Sequence, residues 1–257
     1  MGEYKKLKYY FDGELGMMLA RKIGPHYPRF QTQPFVEEIE SSVGSLELKQ
    51  RVEAISDGLF RHLPSDFCRA LDILEKILGP ENPKETGMFT EGYWLMPIAF
   101  YVEKYGLENY EESMRFIEEV TKRNTGEYAV RPFLLARPEQ TLEIARKWSQ
   151  DRNSHVRRLA SEGLRPRLPW ARKITIFSQD PTPVFLVLEN MKSDSSAYVR
   201  KSVANNLADF LKENYESTIS VLAKWKPNAS KETQWIIKHA LRNEIKKNNP
   251  VAIQLIQ

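Results

Sequence analysis

Three segments of the chain repeat one pattern. Val156-Arg-Arg-Leu-Ala-Ser-Glu162 is followed by Val199-Arg-Lys-Ser-Val-Ala-Asn205, and a weaker copy runs Ile236-Ile-Lys-His-Ala-Leu-Arg242. The anchors Val156, Val199 and Ile236 lie 43 and 37 residues apart. A period near 40 residues suits a pair of helices per repeat. Each pair then buries its apolar side only by stacking on its neighbours. The rest of the chain agrees with this constraint. Apolar residues recur at helical spacing, strand-like alternation is absent, and pairs such as Gly79-Pro80, Arg137-Pro138, Arg165-Pro166 and Asn249-Pro250 punctuate the segments.

The expected fold class is therefore all-α, a curved α-solenoid of HEAT-like helix-pair repeats. The periodicity predicts helices near 46–62, 65–78, 91–104, 109–122, 127–136, 139–149, 155–164, 181–191, 197–211, 215–227 and 231–246. One domain over residues 1–257 is expected, with 1–90 as an acidic helical cap and 91–257 as basic repeats. No run of apolar residues reaches the ~18 that a membrane helix needs. The opening Met-Gly-Glu-Tyr-Lys-Lys-Leu-Lys has no apolar stretch behind it, so no secretory leader is expected. Cys68 is the single cysteine, which rules out an internal disulfide and a thiolate zinc cluster and fits a reducing compartment. The four histidines, His26, His62, His155 and His239, lack metal-ligand spacing. No phosphate-binding glycine loop or Ser-His-Asp order is visible.

Charge is unevenly placed. Residues 1–120 hold 14 Lys and Arg against 21 Asp and Glu, a net of −7, whereas residues 121–257 hold 24 against 13, a net of +11. The C-terminal half is thus the expected polyanion-binding part. Within it, Ser154–Trp170 carries Arg157, Arg158, Arg165 and Arg167 around one acid, Glu162. Ser154 is placed to cap a helix whose apolar side is Val156, Leu159, Ala160 and Gly163. His155, Arg158, Glu162 and Arg165 share the other side. Guanidinium groups in a row suit phosphate, and their field favours the ionised form of an acid among them. In the repeat register Arg158, Lys201 and Lys238 are equivalent, as are Glu162, Asn205 and Arg242, which gives a basic stripe with one acid in it. The same Arg158–Glu162 spacing also suits an exposed i,i+4 ion pair worth about 0.3–0.5 kcal/mol.

A second acid stands in Asn124-Thr-Gly-Glu127-Tyr-Ala-Val-Arg131-Pro132. With Thr125 as cap, Glu127 falls in the first turn of a helix, where the backbone dipole by itself favours an acid. Pro132 inside that helical pattern is expected to bend or shorten it. Trp148 lies on an apolar helical side and reads as core. Trp94 suits core and site equally. Trp170 follows Pro169 between Arg167 and Arg172, and an indole held at such a corner can stack on a base or sugar.

The pieces Gly92-Tyr-Trp-Leu-Met-Pro97, Thr121-Lys-Arg…Glu127-Tyr-Ala-Val-Arg-Pro-Phe-Leu134, His155–Trp170 and Val199–Asp209 resemble the bacterial DNA alkylation repair glycosylases built from HEAT-like repeats, the AlkC branch. The resemblance spans roughly residues 90–210 and is most specific in the arginine-rich piece. It implies an enzyme that removes cationic alkylated purines, chiefly 3-methyladenine and also 7-methylguanine, from double-stranded DNA. Glu127, Glu162 and Trp170 match the family's catalytic positions, and Asp209 lies in the matching Asn-Asn-Leu-x-Asp piece. Arg131, Arg157, Arg158, Arg165, Arg167, Lys201, Lys238 and Arg242 would hold phosphates. Tyr93, Trp94, Asn205 and Asn206 complete the implied DNA-contact set.

A methylated purine departs as a neutral base while cationic character develops on the deoxyribose. A carboxylate beside that sugar stabilises the charge and orients water. The implied chemistry calls for no metal and no cofactor. The expected protein is a monomer of the cytoplasm with no membrane partner. Some family members carry a further immunoglobulin-like domain, which this sequence is expected to lack. Two other readings share the architecture: a DNA-structure binder without catalysis, and a HEAT-type protein scaffold. Three acid and aromatic matches argue against the first, and the Arg158/Lys201/Lys238 column argues against the second.

Overall fold

The computed structural model describes residues 5–257; residues 1–4, with which the expected acidic cap begins, lie outside it. The described residues are helical with no strand, and the expected all-α class is what forms. They divide into two compact units, one ending at Ala129 and the other running over Val130–Gln257.

The first unit contains α1 (Gly13–Ile23), α2 (Thr32–Val43), α3 (Leu48–His62), α4 (Phe67–Ile77), α5 (Met96–Tyr105) and α6 (Tyr110–Thr121), with short 3-10 turns at Leu7–Tyr10 and Tyr93–Leu95. α1 packs on α2, α2 on α3, α3 on α5 and α5 on α6. The helices α1 and α2 were not among the expected ones, and their sequences explain why. α1 carries glycines at 13 and 16, and α2 has Pro34 in its first turn. Both residue types read as breaks. Gly16 is instead a point of close approach, since a Cβ there would lie 2.7 Å from the Ile39 side chain of α2. Asp12 caps α1 by accepting from the backbone N–H groups of Glu14 and Leu15, which offsets the glycines' cost to the helix.

The second unit contains α7 (Arg131–Ala136), α8 (Pro138–Trp148), α9 (Ser154–Glu162), α10 (Thr182–Glu189), α11 (Ala197–Glu213), α12 (Tyr215–Trp225), α13 (Lys231–Ala240), α14 (Arg242–Lys246) and α15 (Pro250–Ile256). The repeat is physically realised here. Val156, Val199 and Ile236 are fully buried, and α11 packs on α9 at one side and on α13 at the other. Burying each such side chain contributes roughly 1.5–3 kcal/mol. The second register row is in contact too: Arg242 donates to Asn205 Oδ1 at 3.0 Å. Asn206 ties the stack together by donating to the Ser161 carbonyl at 2.7 Å.

Local chemistry moves several boundaries. Asn153, not Ser154, caps α9 by accepting from the His155 N–H at 2.9 Å. The segment expected as one helix over 231–246 breaks at Leu241, and α15 follows a cap by Asn249. The expected helix over 127–136 starts only at Arg131, with Glu127–Val130 forming a turn. Pro132 therefore sits in a first turn, where no intrahelical donor is needed, and the helix is shortened at its N-terminal side, one of the two outcomes expected of that residue. Trp148 is core, as its helical side indicated. His155 is not on an open side but buried, packed edge-on against Tyr198 at 5.5 Å. Among the described residues no helix is long and apolar enough to cross a membrane.

Candidate active site

The second unit holds 22 Lys and Arg against 12 Asp and Glu, so it carries the positive charge that the first unit lacks. Glu162 is the last residue of α9. A carboxylate at a helix C-terminus meets the negative end of the backbone dipole, so its place is locally unfavourable. It is also buried, at 6% exposure. Tertiary contacts compensate on both counts. Arg165 Nη1 lies 2.6 Å from Oε1, Arg158 Nη2 lies 3.6 Å from the same oxygen, and Ser202 Oγ donates to Oε2 at 2.6 Å. Burial pushes the Glu162 carboxyl upward, but the two guanidinium charges and the Ser202 and Arg165 hydrogen bonds outweigh it and hold the group below its ordinary value. The Arg158–Glu162 i,i+4 pair that the spacing also allowed does form, but enclosed rather than exposed. This is an enclosed carboxylate kept ionised.

Arg165 has a second partner. Its Nε donates to Asp209 Oδ2 at 2.8 Å, so one guanidinium joins α9's terminal acid to an acid on α11 that lies 44 residues beyond the arginine. Burial raises the Asp209 carboxyl above its ordinary value in spite of Arg165 and Lys212, and the nearby Glu162 charge adds to the rise. Arg158 lies over the Tyr198 ring at 4.9 Å, which fixes it between α9 and α11.

Trp170 stands on the loop that follows. It is 64% exposed and adopts φ +62°, in the left-handed region that costs a non-glycine residue about 1–3 kcal/mol. The loop is tied down beneath it. The Ile174 N–H donates to the Pro166 carbonyl at 3.0 Å. Arg131, buried in α7, donates to the carbonyls of Gly163, Arg165 and Arg172. Arg167 and Lys173 both pair with the enclosed Glu213 at the end of α11, Lys173 at 2.6 Å.

The predicted phosphate contacts separate into two groups by position. Lys201 and Lys238 are exposed on adjacent helices α11 and α13, and Arg242 is half-buried against Asn205. Arg131 is bound to loop carbonyls. Arg157 forks onto Asp194 at 2.6 and 3.0 Å and also reaches the Asp151 and Arg152 carbonyls. These two arginines join α7 to the Trp170 loop and α9 to the loop before α11. Asn206 is fully buried.

In the first unit Glu127 is buried at 4% exposure and accepts from Thr125 Oγ1 at 2.7 Å. Asn124 shapes that turn. Its Oδ1 accepts from the Thr125 N–H at 2.7 Å, while Nδ2 donates to the Met88 and Gly92 carbonyls. The Gly92-Tyr-Trp piece and the Asn-Thr-Gly-Glu127 piece are therefore neighbours. Tyr93 packs on Tyr10 and Phe11, and Lys22 lies over the Trp94 ring at 4.7 Å. Sequence reasoning missed Asn124, Ser202 and Glu213; Thr125, expected as a helix cap, instead accepts from the Glu127 N–H in a turn. Only Ser202 left a signal, as a hydroxyl at a register position that α9 fills with the buried Leu159.

Comparison with known proteins bears on these positions. The family model described as DNA alkylation repair enzyme matches residues 102–243, a stretch containing Glu127, Glu162, Trp170 and Asp209. YhaZ of Bacillus subtilis (strain 168), an uncharacterised protein, is 38% identical over 250 residues, covering 97% of this chain and 67% of YhaZ. Among solved structures, Pseudomonas fluorescens alkylpurine DNA glycosylase AlkC, bound to DNA containing an abasic site analog, is 34% identical. It superimposes with a TM-score of 0.89 over 99% of this chain and 69% of its own.

Proposed function

The chain belongs to the DNA alkylation repair enzyme family, and from that membership we propose that it is a DNA glycosylase excising cationic alkylated purines from double-stranded DNA. The observation that carries this reading is Glu162, an enclosed carboxylate held ionised by Arg158, Arg165 and Ser202 within the basic unit. An anion fixed before the reaction needs no reorganisation as positive charge grows on the sugar. Glu162 stabilises that charge and orients the attacking water, with Asp209 acting through Arg165. Trp170 lies against the sugar or flanking base, where its displayed indole adds a cation–π contribution. Lys201, Lys238 and Arg242 take phosphates, and Arg158, Arg165 and Arg167 lend positive field to the same face. 3-Methyladenine is the expected base, with 7-methylguanine as a second. The working form is a monomer in the cytoplasm that uses neither metal nor cofactor.

Base release tests the reading directly. Incubated with methylated duplex DNA, the protein is expected to liberate free 3-methyladenine or 7-methylguanine, detected by chromatography. Duplex binding with no release at any salt concentration would leave a DNA-structure binder instead.

The placement of the DNA has its own expected result. Reversing charge at Lys201 and Lys238 together weakens duplex binding and lowers the slope of log affinity against log salt by about 2. An unchanged slope would put the duplex on another face.

A further inference from the structure

We propose that Ser202 is a positioning residue for Glu162: its hydroxyl anchors Oε2 to α11 while Arg165 holds Oε1, so the carboxylate is fixed at both oxygens by two different elements. The inference rests on the glycosylase reading above and assigns a role to a side chain that is not among the site residues the resemblance implies.

The repeat register first sets Ser202 apart. Ser202 follows its anchor Val199 by three residues, as Leu159 follows Val156. Both positions face the core, with exposures of 2% and 1%. A repeat gains most by filling such a position with an aliphatic side chain, as α9 does. A buried hydroxyl without a partner keeps its desolvation penalty uncompensated, so a serine there needs an acceptor. It has one: Oγ lies 2.6 Å from Glu162 Oε2, and both partners are buried. An O–H to a carboxylate at this length is among the stronger hydrogen bonds of a protein.

The geometry around Glu162 decides what the contact does. Arg165 touches Oε1 at 2.6 Å, and Arg158 stands 3.6 Å from that oxygen, beyond hydrogen-bonding reach. Oε2 has Ser202. Without the hydroxyl, the carboxylate would be gripped at one oxygen and could turn about its terminal torsion, which has a broad energy profile. Each oxygen has two acceptor sites, so one on each remains for a water or for the sugar after these bonds form. The other charged groups facing this pair are Asp209 of α11, reached through Arg165, with Lys212 beyond it. Arg131 of α7 lies at the Gly163 and Arg165 carbonyls. Besides Arg165, none of these supplies a hydrogen bond to the carboxylate, so Ser202 is the second anchor.

The test is single-turnover base release from a duplex carrying 7-methylguanine, measured from pH 5 to pH 9 on wild type, Ser202→Ala and Ser202→Thr. Ser202→Ala is expected to slow release about tenfold at neutral pH, to move the acidic limb of the profile upward by about one unit, and to leave duplex affinity unchanged. Ser202→Thr keeps the hydroxyl and is expected to restore both rate and limb. A Ser202→Ala variant that melts earlier but keeps the wild-type rate and limb would overturn the proposal and leave a purely structural serine. Should wild type release no base, the glycosylase reading fails, and carbon-13 NMR of the Glu162 carboxyl still decides the anchor. An upward shift of its titration in Ser202→Ala supports the anchor, and an unmoved titration overturns it.

Discussion

Glu162→Gln is expected to lower base release by about two to four orders of magnitude while duplex affinity holds or rises slightly. Glutamine preserves the volume and can still receive from Ser202, so the α9–α11 packing remains. What disappears is the charge that, on the proposed mechanism, faces the developing oxocarbenium ion. The rate therefore falls more than any lost packing explains. Affinity does not fall, because removing one anion makes a basic face more basic. Glu162→Asp is expected to lie between the two, since it keeps the charge but withdraws it by one methylene from Ser202 and Arg165. Single-turnover release and filter binding on the three proteins check this. A glutamine variant with native helicity, native affinity and an undiminished rate would reduce Glu162 to a structural ion.

The second large effect is on stability. Arg165→Met removes the one guanidinium shared by Glu162 and Asp209. Removing one member of a buried ion pair typically costs 3–5 kcal/mol, because the partner keeps its desolvation penalty. For a chain of this size that is a fall in melting temperature of roughly 10 °C. The pH dependence gives the effect its signature. In the wild type the Glu162 carboxyl is lowered, so its contribution is fully present above the ordinary glutamate value and is lost as pH falls through the lowered one. Asp209 is already raised by burial, so ionising it opposes folding. Without Arg165 both carboxyls rise, the folded state holds more protons than the unfolded state, and stability increases on acidification. The melting gap between variant and wild type should therefore narrow from about pH 7 to about pH 5. A gap of constant size would mean that Arg165 contributes packing rather than charge balance.

The fold was legible where repeats speak for one another. Val156, Val199 and Ile236 predicted a stack, and α9, α11 and α13 form it. It was illegible where one residue type serves two ends. Gly16 reads as a break in sequence and is a close approach between helices in space, so α1 and α2 went unseen. Pro132 reads equally as a bend or a shortening, and it is the shortening that forms. The site divides in the same way. The arginine-rich segment around Glu162 announced an acid in a positive field, and the structure has one. Sequence gives no means of telling an arginine that faces phosphate from one that ties loops together. Arg131 bonds carbonyls and Arg157 bonds Asp194, while Lys201 and Lys238 stand open on the adjacent helices. The partners Ser202 and Asp209 come from α11, 40 and 44 residues beyond the residues they touch, and only the packing of repeats brings them there.

Glu213 has a bearing on how ionic-strength experiments with this protein should be interpreted. The loop presenting Trp170 is moored to that half-buried acid by Arg167 and Lys173, and both cations are about 44% open to water. Dissolved ions weaken those moorings too, through their open cations, though less than they weaken contacts between fully exposed charges. On the proposed reading, a salt titration then reports two effects at once: counterions returning to the nucleic acid, and a weaker hold of Arg167 and Lys173 on a loop that Arg131 continues to brace. The steepness of such a curve, divided by the usual 0.9 per contact, overstates the number of phosphates this protein touches.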